Sequence, residues 1–241
     1  MEQIPKLFCF PYAGASASIY HMWSNRGLQA EVMPVELAGR GRRMGEDFYK
    51  QMDDAVNDAY ESMVPLLTDS MPYAVFGHSM GGILAYELIH KLREEGQPLP
   101  GTLIISAAPP PHLLTKSREP VSGLSNDLLL QHLKRRGEIS RFIDLETFIQ
   151  VFLPIIRADY RLLETYRPIL DRIAIDVDLS VFYGTEDSIG GDLMSGWERY
   201  VRGDFNAFPL RGGHFFIHER REAMIASLNR LLAGYKSSDP I

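Results

Sequence analysis

Cysteine is nearly absent from this chain of 241 residues: Cys9 stands alone, so no internal disulfide can form. That scarcity fits a reducing compartment, and the cytoplasm is the expected location. Cys9 sits in Leu7-Phe8-Cys9-Phe10, where it reads as a small buried hydrophobe rather than a reactive thiol. Long apolar runs are missing too. None reaches the ~18 residues of a membrane-spanning helix. Positive charge is outweighed, with 25 Lys and Arg against 31 Asp and Glu and a net charge of -6, which gives no support for nucleic-acid binding. There is no internal repeat and no low-complexity tract. Met1 to Lys6 runs straight into a strand-like segment, so no signal peptide is expected. Lys236 to Ile241 reads as a frayed tail. No pair of histidines has a metal-ligand spacing with cysteines or carboxylates, so no metal is expected. What remains, 45% hydrophobic and 23% charged, suits one α/β domain of ordinary size, by default a monomer.

The chain is organised around Val75-Phe76-Gly77-His78-Ser79-Met80-Gly81-Gly82. A strand-like segment from Pro72 to Phe76 leads directly into a helix-like one from Ser79 to Glu95, with glycines on both sides of the serine. That is the G-x-S-x-G nucleophile elbow in the strand–turn–helix context it requires. A serine aimed out of so sharp a turn has strained backbone angles, and a side chain at Gly77 or Gly81 would collide with neighbouring elements. The helix start behind it offers free N–H groups to a developing negative charge.

Taken in order, Leu7 to Phe10 reads as a buried strand, and Ser16 or Ser18 as the cap of a helix carrying Tyr20, Met22 and Trp23. Glu31 to Leu37 reads as a second strand, followed by the arginine-rich turn Ala38-Gly39-Arg40-Gly41-Arg42-Arg43. Apolar residues recur at helical spacing from Met52 to Leu67. The helix after the elbow stops at Gly96-Gln97-Pro98, and Thr102 to Ala107 is the next strand. From Pro110 to about Leu170 the strand pattern gives way to amphipathic pieces, Ser125 to Lys134, Leu145 to Ile156 and Ala158 to Tyr166. Strands resume at Asp178 to Tyr183 and Asp204 to Leu210, with a helix-like Asp192 to Arg202 between them and a last helix from Glu219 to Leu232. Alternating strands and helices imply a mostly parallel sheet flanked by helices. The block at about 110–170 is expected to be a helical lid inserted over the C-terminal edge of that sheet.

A serine nucleophile needs a base and an acid that orients the base, and on this topology they follow in the order Ser, Asp or Glu, His. Gly184-Thr185-Glu186-Asp187 puts two carboxylates after one strand, and Arg211-Gly212-Gly213-His214-Phe215-Phe216 puts a histidine in a glycine-rich loop after the next. His214 is therefore the expected base, with Asp187 or Glu186 to orient it. His218 is the rival base, expected as a solvated helix start; His78 is expected to pack in the elbow, and His21, His90, His112 and His132 to be surface or packing residues. The oxyanion should be met by the N–H of Met80 and by one from the loop Tyr12-Ala13-Gly14.

Phe10-Pro11-Tyr12-Ala13-Gly14, Glu36 to Arg43, Gly77 to Gly82, Arg157-Ala158-Asp159-Tyr160 with Tyr166, and Gly212-Gly213-His214-Phe215 together resemble the type II thioesterases, the discrete editing enzymes of nonribosomal peptide and polyketide synthases. The likeness runs from about residue 7 to 232. It implies an α/β-hydrolase fold with a helical lid and hydrolysis of acyl thioesters from the phosphopantetheine arm of carrier proteins. No cofactor of the chain's own is implied, because phosphopantetheine belongs to the partner. Carried over position by position, the nucleophile falls on Ser79, the acid on Asp187, the base on His214 and the oxyanion donors on Met80 and Ala13. Ala38 departs from the family, which usually has proline there. Arg40, Arg42 and Arg43 are expected either to attract the acidic carrier protein or its phosphate, or to form a structural turn paired with Glu36 or Glu46. Phe148, Phe152 and Tyr160 are candidates for an acyl pocket. The rival readings are a small-molecule carboxylesterase or lipase with the same residues, and a non-catalytic binding protein on the same fold.

Overall fold

A computed structural model describes residues 4–67, 72–114, 120–135 and 144–234; the tail from Lys236 lies outside them. Six strands form one sheet: β1 (Lys6–Phe10), β2 (Glu31–Pro34), β3 (Tyr73–His78), β4 (Thr102–Ser106), β5 (Asp178–Gly184) and β6 (Phe205–Leu210), in the order β2-β1-β3-β4-β5-β6. Every pairing is parallel. The period-2 alternation of the strands divides their side chains between two cores. Phe8, Phe10, Tyr73, Val75, Leu103, Ile105, Leu179 and Val181 enter the larger core, while Leu7, Cys9, Ala74, Phe76, Ile104 and Phe182 enter the other. Helix α1 (Met52–Met63) starts on a capping box between Gln51 and Asp54. It packs with α2 (Met80–Glu94) on the first face. Helix α5 (Arg221–Ala233) covers the second with Tyr20 and Trp23.

Gly96, at φ +65°, ends α2 with the Gln97 N–H on the Leu92 carbonyl at 2.8 Å. Ser16 caps a short helical turn over Ala17–Tyr20. Two expectations are corrected. The second strand stops at Pro34 rather than Leu37, and the expected helix over 192–202 is a short turn, Gly191–Met194, followed by the 3-10 stretch Ser195–Tyr200. That stretch is tied inward by the Trp197 indole N–H on the Ala108 carbonyl at 2.8 Å.

Between β4 and β5 the main described elements are helical: α3 (Asn126–Arg135), a turn and a π-helical stretch over Leu145–Phe152, and α4 (Leu153–Thr165). These pieces share a small core of their own from Leu129, Leu130, Leu133, Phe148, Leu153 and Ile156. Glu164 of α4 accepts the Val121 and Ser122 N–H groups at 2.6 and 2.9 Å. Just beyond α4, Tyr166 donates to Glu87 of α2, which also pairs with Arg172 at 2.5 Å. The chain leaves β1 for one edge of the sheet and β3 for the other, so the order reverses between them. Above the C-terminal ends of those two strands an open parallel sheet places its site.

Candidate active site

Ser79 follows β3 at φ 54° and ψ -117°, a left-handed conformation that a non-glycine residue adopts only when its surroundings force it. They do so here. Its N–H is held by the Ser106 carbonyl at 2.7 Å. A Cβ at Gly77 would overlap the Gly81 carbonyl, and one at Gly81 would overlap that of Phe10. The glycines on both sides of the serine are thus demanded by backbone against backbone.

The loops after β5 and β6 bring the other two groups in. Ser79 Oγ lies 3.0 Å from His214 Nε2, and His214 Nδ1 lies 2.8 Å from Asp187 Oδ2. A carboxylate only accepts, so Nδ1 carries the proton and Nε2 is free to accept from the serine. The side chains of His214 and Asp187 are 13% and 5% exposed, so this pair works out of bulk water. Burial disfavours the charge of Asp187, but the hydrogen bond and charge of His214, with the Ile189 N–H, outweigh it and hold the carboxyl below its ordinary value. Glu186 points elsewhere, toward Arg211 at 3.9 Å on the surface. Of the two carboxylates in the turn, only Asp187 meets the histidine.

Met80 and Ala13 line the same cavity as Ser79 and His214. Among the described residues neither backbone N–H donates a hydrogen bond inside the protein. The cavity measures about 360 Å³, and Ile83, Leu163 and Tyr160 line it along with the more polar His132, Glu164 and Ser188. A second cavity of about 390 Å³ shares Tyr12, Ala13 and Phe215 with the first and is walled by Phe148, Phe152 and Ile156. The aromatic residues singled out from the sequence are therefore divided between two neighbouring spaces.

Several side chains do more than the sequence suggested. His78 is fully buried, with Nε2 3.1 Å from the His214 carbonyl and Nδ1 2.8 Å from Ser106 Oγ. A carbonyl cannot donate, so His78 Nε2 carries the proton and Nδ1 accepts from the Ser106 hydroxyl. Burial and the nearby His214 and His218 keep this imidazole well below the usual histidine range, hence neutral. His78 therefore anchors the backbone of the loop that presents His214. His218 is not a solvated helix start. It is half-buried with Nε2 2.8 Å from the Tyr12 hydroxyl, and burial with the charge of Arg221 lowers its pKa. Among the described residues, no group of three or more His, Cys, Asp and Glu is arranged to hold a metal ion.

The arginine turn separates into three environments. Arg40, open from the sequence to a carrier contact or to a structural pairing with Glu36 or Glu46, is 1% exposed and paired with Asp159 at 2.5 and 2.7 Å. Arg43 is engaged by Glu46 and Asp58 at 2.5 and 2.6 Å. Arg42 alone is exposed, and among the described residues it forms no ion pair. A partner found on α4 leaves no periodic signal near residue 40, which is why burial of Arg40 was not legible locally.

A serine, an imidazole and a carboxylate in series above the C-terminal ends of a parallel sheet is the arrangement of the α/β-hydrolases. The thioesterase domain family model matches residues 5–232, and the chain belongs to that family. It is 31% identical over 216 residues to the human medium-chain S-acyl fatty acid synthase thioesterase, covering 88% of this chain and 80% of that one. Among solved structures, the RedJ thioesterase of the prodiginine pathway of Streptomyces coelicolor is 32% identical with a TM-score of 0.86, covering 95% of this chain and 85% of that one. BorB, a type II thioesterase from the borrelidin biosynthetic cluster, is 29% identical with a TM-score of 0.79, covering 94% and 91% of the two chains.

Proposed function

We propose that this thioesterase removes acyl groups from the phosphopantetheine arm of carrier proteins, editing stalled or misprimed nonribosomal peptide or polyketide synthases. The observation that carries the proposal is the hydrogen-bonded series Ser79–His214–Asp187 opening on one cavity in a chain of the thioesterase family. Ser79 Oγ attacks the thioester carbonyl while His214 Nε2 takes its proton, and Asp187 stabilises the imidazolium that results. The Met80 and Ala13 N–H groups receive the oxyanion; one such donor is worth on the order of a hundredfold or more in rate. Collapse expels the pantetheine thiolate, to which His214 returns the proton. Water, activated by the same histidine, then attacks the acyl-serine carbonyl and frees the acid.

In this reading the whole chain is one α/β-hydrolase domain, and the helical stretch at about 110–170 is a lid that encloses the acyl group. The protein works as a monomer in the cytoplasm, without a cofactor of its own, and meets its carrier-protein partner through charge. Of the three arginines in the turn, Arg42 is the one left to face an acidic carrier or the arm's phosphate. The test presents one acyl group two ways, on a holo carrier protein and on a simple thiol or alcohol, with Ser79→Ala as control. Faster release from the carrier, lost in the variant, supports the proposal. Equal or faster turnover of the simple ester would make the chain a general esterase, and no serine-dependent turnover on either would leave a binding protein.

A further inference from the structure

The loop beside Ser79 is gripped by a buried carboxylate from the helical stretch. Asp159 of α4, 1% exposed, accepts the Gly14 N–H at 2.7 Å on Oδ2. The same carboxylate takes the Arg40 guanidinium through both oxygens, and Arg40 Nη1 reaches on to the Ala15 carbonyl at 3.3 Å. The pair thus holds Gly14 through its N–H and Ala15 through its C=O. The Ala15 N–H in turn donates to the Tyr12 carbonyl at 3.0 Å. A planar peptide unit carries the Tyr12 C=O and the Ala13 N–H together, pointing in opposite directions. Fixing Ala15 therefore fixes the Tyr12 carbonyl, and with it the direction of the Ala13 N–H.

We propose that Asp159, acting with Arg40, is a positioning residue that aims the Ala13 N–H at the oxyanion. The proposal rests on the function proposed above, in which Ser79 is the nucleophile and Ala13 an oxyanion donor. A purely structural role is the weaker account, because a buried ion pair can often be replaced by apolar side chains at little or no cost in stability. What such a replacement cannot supply is an acceptor for the Gly14 N–H and a donor for the Ala15 carbonyl. Gly14 itself has little room for error: it sits at φ +83°, and a Cβ there would overlap Ile156 of α4.

The test compares the wild type, Asp159→Asn and the double variant Arg40→Met with Asp159→Leu. Each is measured for kcat and KM on an acyl N-acetylcysteamine thioester, for melting temperature, and for affinity toward an alkyl boronic acid that bonds to the serine and fills the oxyanion position. With the Gly14 N–H and the Ala15 carbonyl left unpaired, the double variant should melt a few degrees below the wild type yet stay folded. It should lose about a hundredfold in kcat as for a missing oxyanion donor, keep KM within about threefold, and lose boronate affinity alongside kcat. A double variant that folds and keeps kcat overturns the proposal, as does a loss expressed in KM. If the double variant does not fold, Asp159→Asn is judged by the same split: kcat falling with boronate affinity at constant KM supports it, and any other pattern overturns it. Failure of the underlying function looks different, since the wild type would then turn over no thioester or Ser79→Ala would remain active.

Discussion

Replacing His78 by leucine separates its hydrogen bonds from its bulk. Leucine fills much of the same fully buried space but leaves the Ser106 hydroxyl and the His214 carbonyl without the partners they have at 2.8 and 3.1 Å. An unsatisfied buried polar group costs about 1–3 kcal/mol, and two are left, so a loss of about 2–6 kcal/mol is expected in urea unfolding. Activity should suffer in a particular way. The His214 loop loses its anchor, and a displacement of the order of 1 Å at a reacting group costs about a hundredfold. Thus kcat on a simple thioester should fall roughly 10- to 100-fold, while KM, set by the cavity, changes little. His78→Gln, whose amide can still donate to the His214 carbonyl, should recover part of both losses. If His78→Leu unfolds within about 0.5 kcal/mol of the wild type and keeps its kcat, the assignment of His78 as anchor is wrong.

Asp187→Asn should lower kcat by about 10³- to 10⁴-fold, because an amide at that position favours the wrong imidazole tautomer, whereas Glu186→Gln should leave kcat within twofold, read in the same steady-state assay. Acid should destabilise the fold well above the carboxylate range. His78 is held well below its usual pKa, and burial with Arg172 and Arg93 takes His90 down to about 3. Both are neutral when folded and bind a proton when unfolded below pH 6.5. The unfolded state then holds more protons, so stability is full above that pH and falls as pH drops, by about 1.4 kcal/mol per unit for each histidine. Urea unfolding at pH 7 and pH 5 should differ by about 4 kcal/mol, and a flat profile would contradict the neutral-histidine assignment. Charge reversal, Arg42→Glu, should lower kcat/KM on carrier-bound acyl groups and spare it on small thioesters; equal effects on both would remove Arg42 from carrier recognition.

The parallel sheet could be read because short apolar runs, glycine-rich turns and helical periodicity are local signals, whereas the order of its strands needed the structure. The same holds for the elbow, whose Gly77 and Gly81 meet backbone from the segments that the sequence itself placed around them. The two carboxylates at 186 and 187 could not be separated by spacing alone. Adjacent residues in a turn point in different directions, and only the path of the His214 loop selects between them. Long-range pairs left no trace of that kind. The sequence leaves Arg40 open between a surface contact and a structural pairing, because its partner lies 119 positions away on α4, and the Tyr12–His218 contact spans 206 positions. Arg157-Ala158-Asp159-Tyr160 is recognisable as a motif, yet nothing local to it shows that its aspartate closes over the loop after β1.

The most direct test of the account is to trap the acyl group on the protein. Rapid quenching of the chain mixed with an acyl carrier protein, followed by peptide mass analysis, should show the acyl mass on the peptide containing Ser79 and free acid accumulating afterwards. Ser79→Ala should show neither. An acyl group found on another residue, or undiminished release of acid by Ser79→Ala, would contradict the serine mechanism proposed for this thioesterase.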